Sequence, residues 1–159
     1  LERKGLRNKP YQIPSNTTIK RVMVTTSEEI EFIQQVQVGY LATVGADNAP
    51  RVGPMIIKDV YGDDLYFSTF ATTRKVAEIA SNPQVEVVWA KEAELSQVRI
   101  KGKAQVVEDP AVGQRFREDN PMVAKMLPEG AQHLFRLYKV KPEKVYLAEG
   151  MVPYAEIAW

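Results

Sequence analysis

Residues 97–108 read QVRIKGKAQVVE, the cleanest alternation in the chain. Val98, Ile100, Gly102, Ala104 and Val106 fall on one side, and Arg99, Lys101, Lys103 and Gln105 on the other. Side chains of a strand point alternately to opposite faces, so a period of two predicts a strand with one dry and one wet face. A chain holding such a strand needs a sheet whose buried side is covered, and the neighbouring segments say what kind of sheet.

YLATV (40–44) predicts a strand, GADNAP (45–50) a turn, and RVGPMIIKDV (51–60) a strand that returns beside the first. Gly, Asp and Asn tolerate turn conformations and Pro50 cannot continue a ladder. YGDD turns the chain again into LYFST (65–69). Strands joined by such short turns form an antiparallel meander rather than βαβ units. QVEVVW (84–89), the alternating segment and a last strand over about 135–147, bent near Pro142, bring the number to six. Six short-linked strands with few helices predict a mainly β fold, a small closed or nearly closed barrel, since closure removes exposed edges. MIIKDV is apolar on both faces, with Met55 and Ile57 on one and Ile56 and Val60 on the other, beside Lys58. One face fills the barrel, and the other requires a helix, a ligand or a second subunit.

Three helical segments flank these strands. In VTTSEEIEFIQQVQ, Thr26 and Glu29 have capping-box spacing, Ile30 and Ile33 with Phe32 and Val36 form an apolar face, and Gly39 ends the helix. After Thr72 the period changes: Val76, Ile79 and Ala80 recur at helical spacing until Asn82-Pro83. A third stretch runs from about Pro110 to Met126, interrupted at Asn120-Pro121. The organisation expected is a basic arm (1–25), one β domain (26–150) and a tail (151–159).

Composition narrows the function classes. The 159 residues contain 45% apolar and 26% charged side chains and carry a net charge of +1, which gives no global reason for nucleic acid or an anionic membrane as partner. No apolar run approaches the roughly 18 residues of a membrane span. The N-terminal stretch has cations without an apolar run behind them, so no secretory signal is expected there. Without Cys there are no disulfides, zinc thiolates or thiol catalysis, which fits a cytoplasmic location. The first 21 residues carry Arg3, Lys4, Arg7, Lys9, Lys20 and Arg21 against Glu2, the pattern of a solvated arm.

STFATTRK (68–75) places Ser68, Thr69, Thr72 and Thr73 just before Arg74 and Lys75, where a helix begins. A helix N-terminus presents unpaired N–H groups and the positive end of its dipole, and an anion suits both. Hydroxyls and a guanidinium could complete a phosphate site. The alternative is a capped helix with two exposed cations, and the residues alone leave both open. Neither a Walker-type loop nor G-x-G-x-x-G is present. His133 is the only histidine, too little for a Ser-His-Asp triad or an imidazole metal site. Trp89 reads as core. Tyr154 and Trp159 suit either closure over a ligand or ordinary packing.

GYLATVGADNAPRVGPMIIK, LYFSTFATTRKVAEIASNPQVEVVW and SQVRIKGKAQVVE, in this order and spacing, resemble the FMN-binding split-barrel family of pyridoxine/pyridoxamine 5′-phosphate oxidase and its relatives, over about residues 28–109. The resemblance implies a six-stranded antiparallel split β-barrel with flanking helices, assembled as a homodimer with FMN at the interface. It implies an FMN-dependent oxidoreductase acting on a small molecule or a pyridine nucleotide. The same fold also serves deazaflavin F420, haem and non-enzymatic FMN-binding stress-response proteins. Carried over by position, Thr73, Arg74 and Lys75 hold the FMN phosphate, and Ser68 and Thr69 sit beside the ribityl phosphate and flavin edge. Pro54, Met55 and Ile56 pass the isoalloxazine with their backbone. Lys58 approaches its polar edge or the phosphate, and Gln97 hydrogen-bonds the ring. Two departures stand out. Vitamin B6 oxidases have an arginine where Gly53 stands, with Arg51 two residues earlier here, and their C-terminal Arg-x-His motif is missing. The cofactor carries over, and the substrate does not.

Overall fold

The computed structural model describes residues 26–56, 58–127 and 129–159, so the basic arm lies outside the described residues. Helix α1 (Thr26–Gln35) leads into strand β1 (Gly39–Val44), with Gly39 opening the strand rather than closing the helix. Strands β2 (Pro50–Met55), β3 (Lys58–Tyr61) and β4 (Asp64–Phe70) follow, then helix α2 (Arg74–Ser81). Strands β5 (Gln84–Lys91) and β6 (Ser96–Val106) precede helices α3 (Pro110–Asp119) and α4 (Pro121–Met126). The long β7 (Phe135–Ala148) and the short β8 (Ala155–Ile157) complete the chain, so part of the expected tail is a strand paired with β7.

The strands form one antiparallel sheet in the order β2-β1-β5-β6-β7-β4-β3, with β8 off this path. The path has seven strands rather than the expected six, because the run RVGPMIIKDV is divided. Its first half pairs with β1, placing Thr43 opposite Arg51, and its second half with β4, placing Lys58 opposite Phe67. The two halves are the opposite edges of the sheet, yet only two residues separate them. Three Cα–Cα steps span at most about 11 Å, so the sheet curls until its edge strands meet end to end. The expected barrel is thereby explained: the doubly apolar run is where the barrel wall changes side.

Inside the curl lie Leu41, Phe67, Val87, Trp89, Ile100 and Val140, all at most 1% exposed. Burying an aliphatic or aromatic side chain of this kind contributes roughly 1.5–3 kcal/mol, so the wall is held chiefly by its lining. Ile33 of α1 joins the same cluster with Phe32 and Val36 at its edge. A second cluster, Phe116, Val123 and Leu137, lies beneath α3 and α4. The alternation of β6 holds from Val98 to Ala104 and ends at Val106, which is 52% exposed. The register of β6 against β7 shifts between Lys101 and Gly102, opposite Pro142, where the bend was expected. Asn82 caps the C-terminus of α2, and the Asn120-Pro121 step separates α3 from α4 as anticipated. Glu29 of the expected capping box is buried instead, without a hydrogen-bond partner among the described residues, and burial raises its pKa.

Candidate functional site

Two clefts meet at Lys75. One is polar, about 410 Å³, and lies against the start of α2, lined by Leu41, Thr43, Arg51, Val52, Gly53, Thr73, Arg74, Lys75 and Glu78. The other is apolar, about 150 Å³, bounded by Pro54, Met55, Ile56, Phe67, Ser68, Thr69, Phe70 and Lys75, and by Val123, Met126, Leu127 and Phe135 across it. Eight of the ten residues expected around a cofactor therefore line one cleft or the other.

The start of α2 is built in an unusual way. Thr73 occupies the N-cap position with extended backbone (φ −77°, ψ 149°), but its side chain makes no capping hydrogen bond. Its hydroxyl donates instead to the Phe70 carbonyl at 2.9 Å and lies 3.0 Å from the Thr69 hydroxyl. A hydroxyl has one proton, so Thr69 is the donor of that pair. Thr73 thus braces the turn and leaves the first N–H groups of α2 without a side-chain acceptor. No acidic residue occupies the first turn of the helix. Arg74 and Lys75, unfavourable neighbours for the positive end of the dipole, are both on the cleft.

Behind this opening sits a carboxylate. Glu78, 8% exposed, accepts from the Thr43 hydroxyl at 2.7 Å. Its other oxygen lies 3.2 Å from Arg51 Nε and 3.4 Å from Arg74 Nε. Arg51 in turn grips Asp47 with both terminal nitrogens, at 2.9 and 2.8 Å. The Arg51 guanidinium holds the Asp47 carboxyl well below the usual carboxylate range, and the same contact keeps Arg51 firmly protonated. Lys75 makes no ion pair among the described residues. Room for these cations comes from two glycines. A Cβ on Gly53 would stand 3.0 Å from Lys75 Nζ, and one on Gly45 would fall on the Arg51 guanidinium.

Lys58 and Gln97 lie elsewhere. Lys58 Nζ donates to the carbonyls of Val36 and Gln37, at 2.6 and 3.3 Å, just beyond α1. A lysine there suits the negative end of a helix dipole, and its burial lowers its pKa. Gln97 stands near the start of β6, between Ala90 and Ala148, and lines neither cleft. Trp89 is wholly buried in the core. Trp159 packs against the main cluster and donates its indole N–H to the Asp63 carbonyl at 2.7 Å, while Tyr154 is exposed under the Arg99 guanidinium. His133 is exposed in a short 3₁₀ turn. No cluster of metal-ligating side chains occurs among the described residues, and no helix among them is long and apolar enough to cross a membrane.

Sequence reasoning missed the Thr43–Glu78–Arg51 brace and the α4 wall of the apolar cleft. Glu78 stands four residues after Arg74, the spacing of a helical ion pair, and that signal was available. Nothing local marks Val123, Met126 and Leu127 as cleft residues, because their place depends on how α4 folds back.

A curled antiparallel β-sheet with flanking helices, carrying a cationic cleft at one helix start and an apolar cleft beside it, defines the class: a split-barrel protein. The model of the family described as pyridoxamine 5′-phosphate oxidase matches residues 25–148, more than half of the chain, and the chain belongs to that family. The pyridoxine/pyridoxamine 5′-phosphate oxidase of Psychrobacter cryohalolentis is 31% identical over 78 residues, which cover 49% of this chain and 36% of that protein. The match thus spans about a third of that relative's length. Among solved structures, a NimC/NimA family protein of Clostridium acetobutylicum superposes with a TM-score of 0.72 at 20% identity, covering 84% of this chain and 91% of that one. General Stress Protein 26 of Bacillus anthracis superposes with a TM-score of 0.67 at 24% identity, covering 82% and 97% respectively. At such identities the likeness concerns the fold.

Proposed function

We propose that this chain is an FMN-binding oxidoreductase that holds the cofactor's phosphate at the start of α2 and its ring along the apolar cleft. The observation that carries this reading is the unfilled helix N-terminus: Thr73 sits at the N-cap without capping, and Arg74 and Lys75 flank the opening. Against the alternative of a capped helix with two exposed cations stands the missing capping hydrogen bond of Thr73. A dianion would satisfy the N–H groups of Arg74 and Lys75, that of Val76 already donating to the Thr73 carbonyl at 3.1 Å, and would remove the mismatch between the dipole and the cations. The adjoining apolar cleft, whose lining includes Pro54, Met55, Ile56, Ser68 and Thr69, offers apolar surface to a flat aromatic system.

FMN, when bound, supplies hydride or electron transfer at its ring. The chain's own contribution is placement. Lys75 lies at the junction of the clefts, where it meets the phosphate side and the ring side alike. Thr73 acts through its backbone and by fixing the turn. Lys58 is assigned to α1, outside the site, and Gln97 would reach a ring only from another protomer. The outer face of β1 and β2 supports a homodimer: Tyr40 and Val52 are 48% and 70% exposed there, with the exposed Pro54 opposite Tyr40. A second copy covering that face would also close the ring site. The substrate is a small molecule or a pyridine nucleotide, and the protein works in the cytoplasm. His133, the sole imidazole, lines neither cleft, which disfavours the haem reading.

The absorbance spectrum of the purified protein tests this directly. A flavin band near roughly 450 nm, with FMN identified by mass after denaturation, is the expected result. A Soret band, or a deazaflavin released on denaturation, would replace the cofactor assignment. Reduction of the bound flavin by NADH or NADPH in stopped flow then tests the enzymatic part of the reading. A flavin that neither nucleotide reduces points to a binding protein.

A further inference from the structure

The polar cleft holds three cations, but two of them are tied to one buried carboxylate. Glu78 lies on the inner side of α2, and its carboxylate joins three elements: Thr43 of β1 at 2.7 Å, Arg51 of β2 at 3.2 Å and Arg74 of α2 itself at 3.4 Å. The pairing of β1 with β2 sets Thr43 directly opposite Arg51, so both reach the same carboxylate from adjacent strands. Arg51 is then locked on its far side by the two-pronged contact with Asp47. Arg74 differs: its side chain is 76% exposed and Glu78 is its only ion-pair partner among the described residues.

We propose that Glu78 is a positioning residue of the phosphate site, a buried anchor that holds the Arg51 and Arg74 guanidiniums side by side at the mouth of the cleft. The inference rests on the phosphate reading above. A free arginine on a helix surface samples many rotamers and loses that freedom when it grips a ligand. Anchored through its Nε, Arg74 keeps its terminal nitrogens for a phosphate. Arg51, held between Asp47 and Glu78, offsets the charge of the anchor and spares the ligand from facing a bare carboxylate. Lys75, which has no ion pair among the described residues, supplies the remaining positive charge. The brace therefore trades some attraction for orientation, and it should favour the phosphate ester over the same flavin without phosphate.

The test is a double-mutant cycle read with two ligands, FMN and riboflavin, titrated into the protein stripped of bound flavin. Glu78→Gln should weaken FMN binding about tenfold and leave riboflavin binding unchanged. In an Arg51→Ala/Arg74→Ala background the same substitution should no longer weaken FMN binding, and any change should be toward tighter binding, because the carboxylate is then left bare beside the phosphate. Glu78→Asp, which keeps the charge but withdraws it by one methylene, should give a smaller loss in the same direction and serves if Glu78→Gln does not fold. Equal losses for FMN and riboflavin, or a full effect of Glu78→Gln without the two arginines, would overturn the assignment by making Glu78 merely structural. Tighter FMN binding by Glu78→Gln with both arginines in place would overturn it as well, since the carboxylate would then act as a competing anion. If wild-type protein does not distinguish FMN from riboflavin at all, the phosphate reading itself falls, whatever Glu78 does.

Discussion

Helices α2 and α3 begin in opposite ways. At α3, Asp109 accepts the Ala111 N–H at 2.9 Å and Pro110 fills the first helical position, where its missing N–H costs nothing. This end is closed by its own chain. At α2, a residue also able to cap turns its hydroxyl back to Phe70, and the first turn carries Arg74 and Lys75 without an acidic residue. One helix start is capped by its own side chain and the other is not. A capping contact contributes about 1 kcal/mol, so its omission beside two cations leaves the start of α2 less stabilised than that of α3, a difference the proposed phosphate site would explain.

The comparison breaks most visibly at the two cations. Arg74→Ala/Lys75→Ala should lower FMN affinity about a hundredfold, because two charge-assisted contacts of about 1.5–3 kcal/mol each are lost and the high exposure of Arg74 sets its share at the low end. Calorimetric titration reads this, with the folded state checked by circular dichroism. Unchanged affinity would make the open helix end irrelevant to flavin binding. Thr73→Asp sharpens the contrast by giving α2 the cap that α3 has. It should raise Tm by about 2 °C while weakening FMN about tenfold, through a carboxylate placed where the phosphate should sit. The converse change, Asp109→Ala, should lower Tm by about 2–4 °C and leave flavin affinity untouched, since α3 only holds the fold.

The smallest effect expected is a pH dependence at the outer end of the brace. Arg51 depresses the Asp47 pKa below its unfolded value, so this contact contributes stability above about pH 4 and loses it as the pH falls below that value. Asp47→Asn should therefore flatten the acid limb of a Tm-versus-pH curve and change little near neutrality. A wild-type-like acid limb in Asp47→Asn would show that the pair contributes nothing to stability.

Much of the fold was legible because its signals are local. The alternation of β6, the change of period after Thr72 and the Asn-Pro stops each occupy a few consecutive residues, and each marks the element the structure contains. The division of RVGPMIIKDV was not legible. A continuous apolar run looks the same whether it stays in one ladder or passes from one edge of a curled sheet to the other, and only the partners β1 and β4 distinguish the two. The fate of Lys58 follows from that division: its strand opens at the barrel corner, where the end of α1 rather than either cleft is within reach. The same holds for the site. Residues 68–75 marked the hydroxyls and cations that gather at the start of α2, but the Thr43–Glu78–Arg51 brace joins positions up to 35 apart in sequence, and the contact of Thr43 with Glu78 has no local trace. The β8 strand was also hidden, since three residues of AEI (155–157) carry too short a pattern to separate a strand from a tail.

The claim that α2 is open in order to take a phosphate is tested most directly by titrating flavin-stripped protein with FMN and with riboflavin, two ligands that differ by the phosphate alone. Following the quenching of flavin fluorescence, the account predicts that FMN binds at least about a hundredfold more tightly. Equal affinities for the two would contradict it.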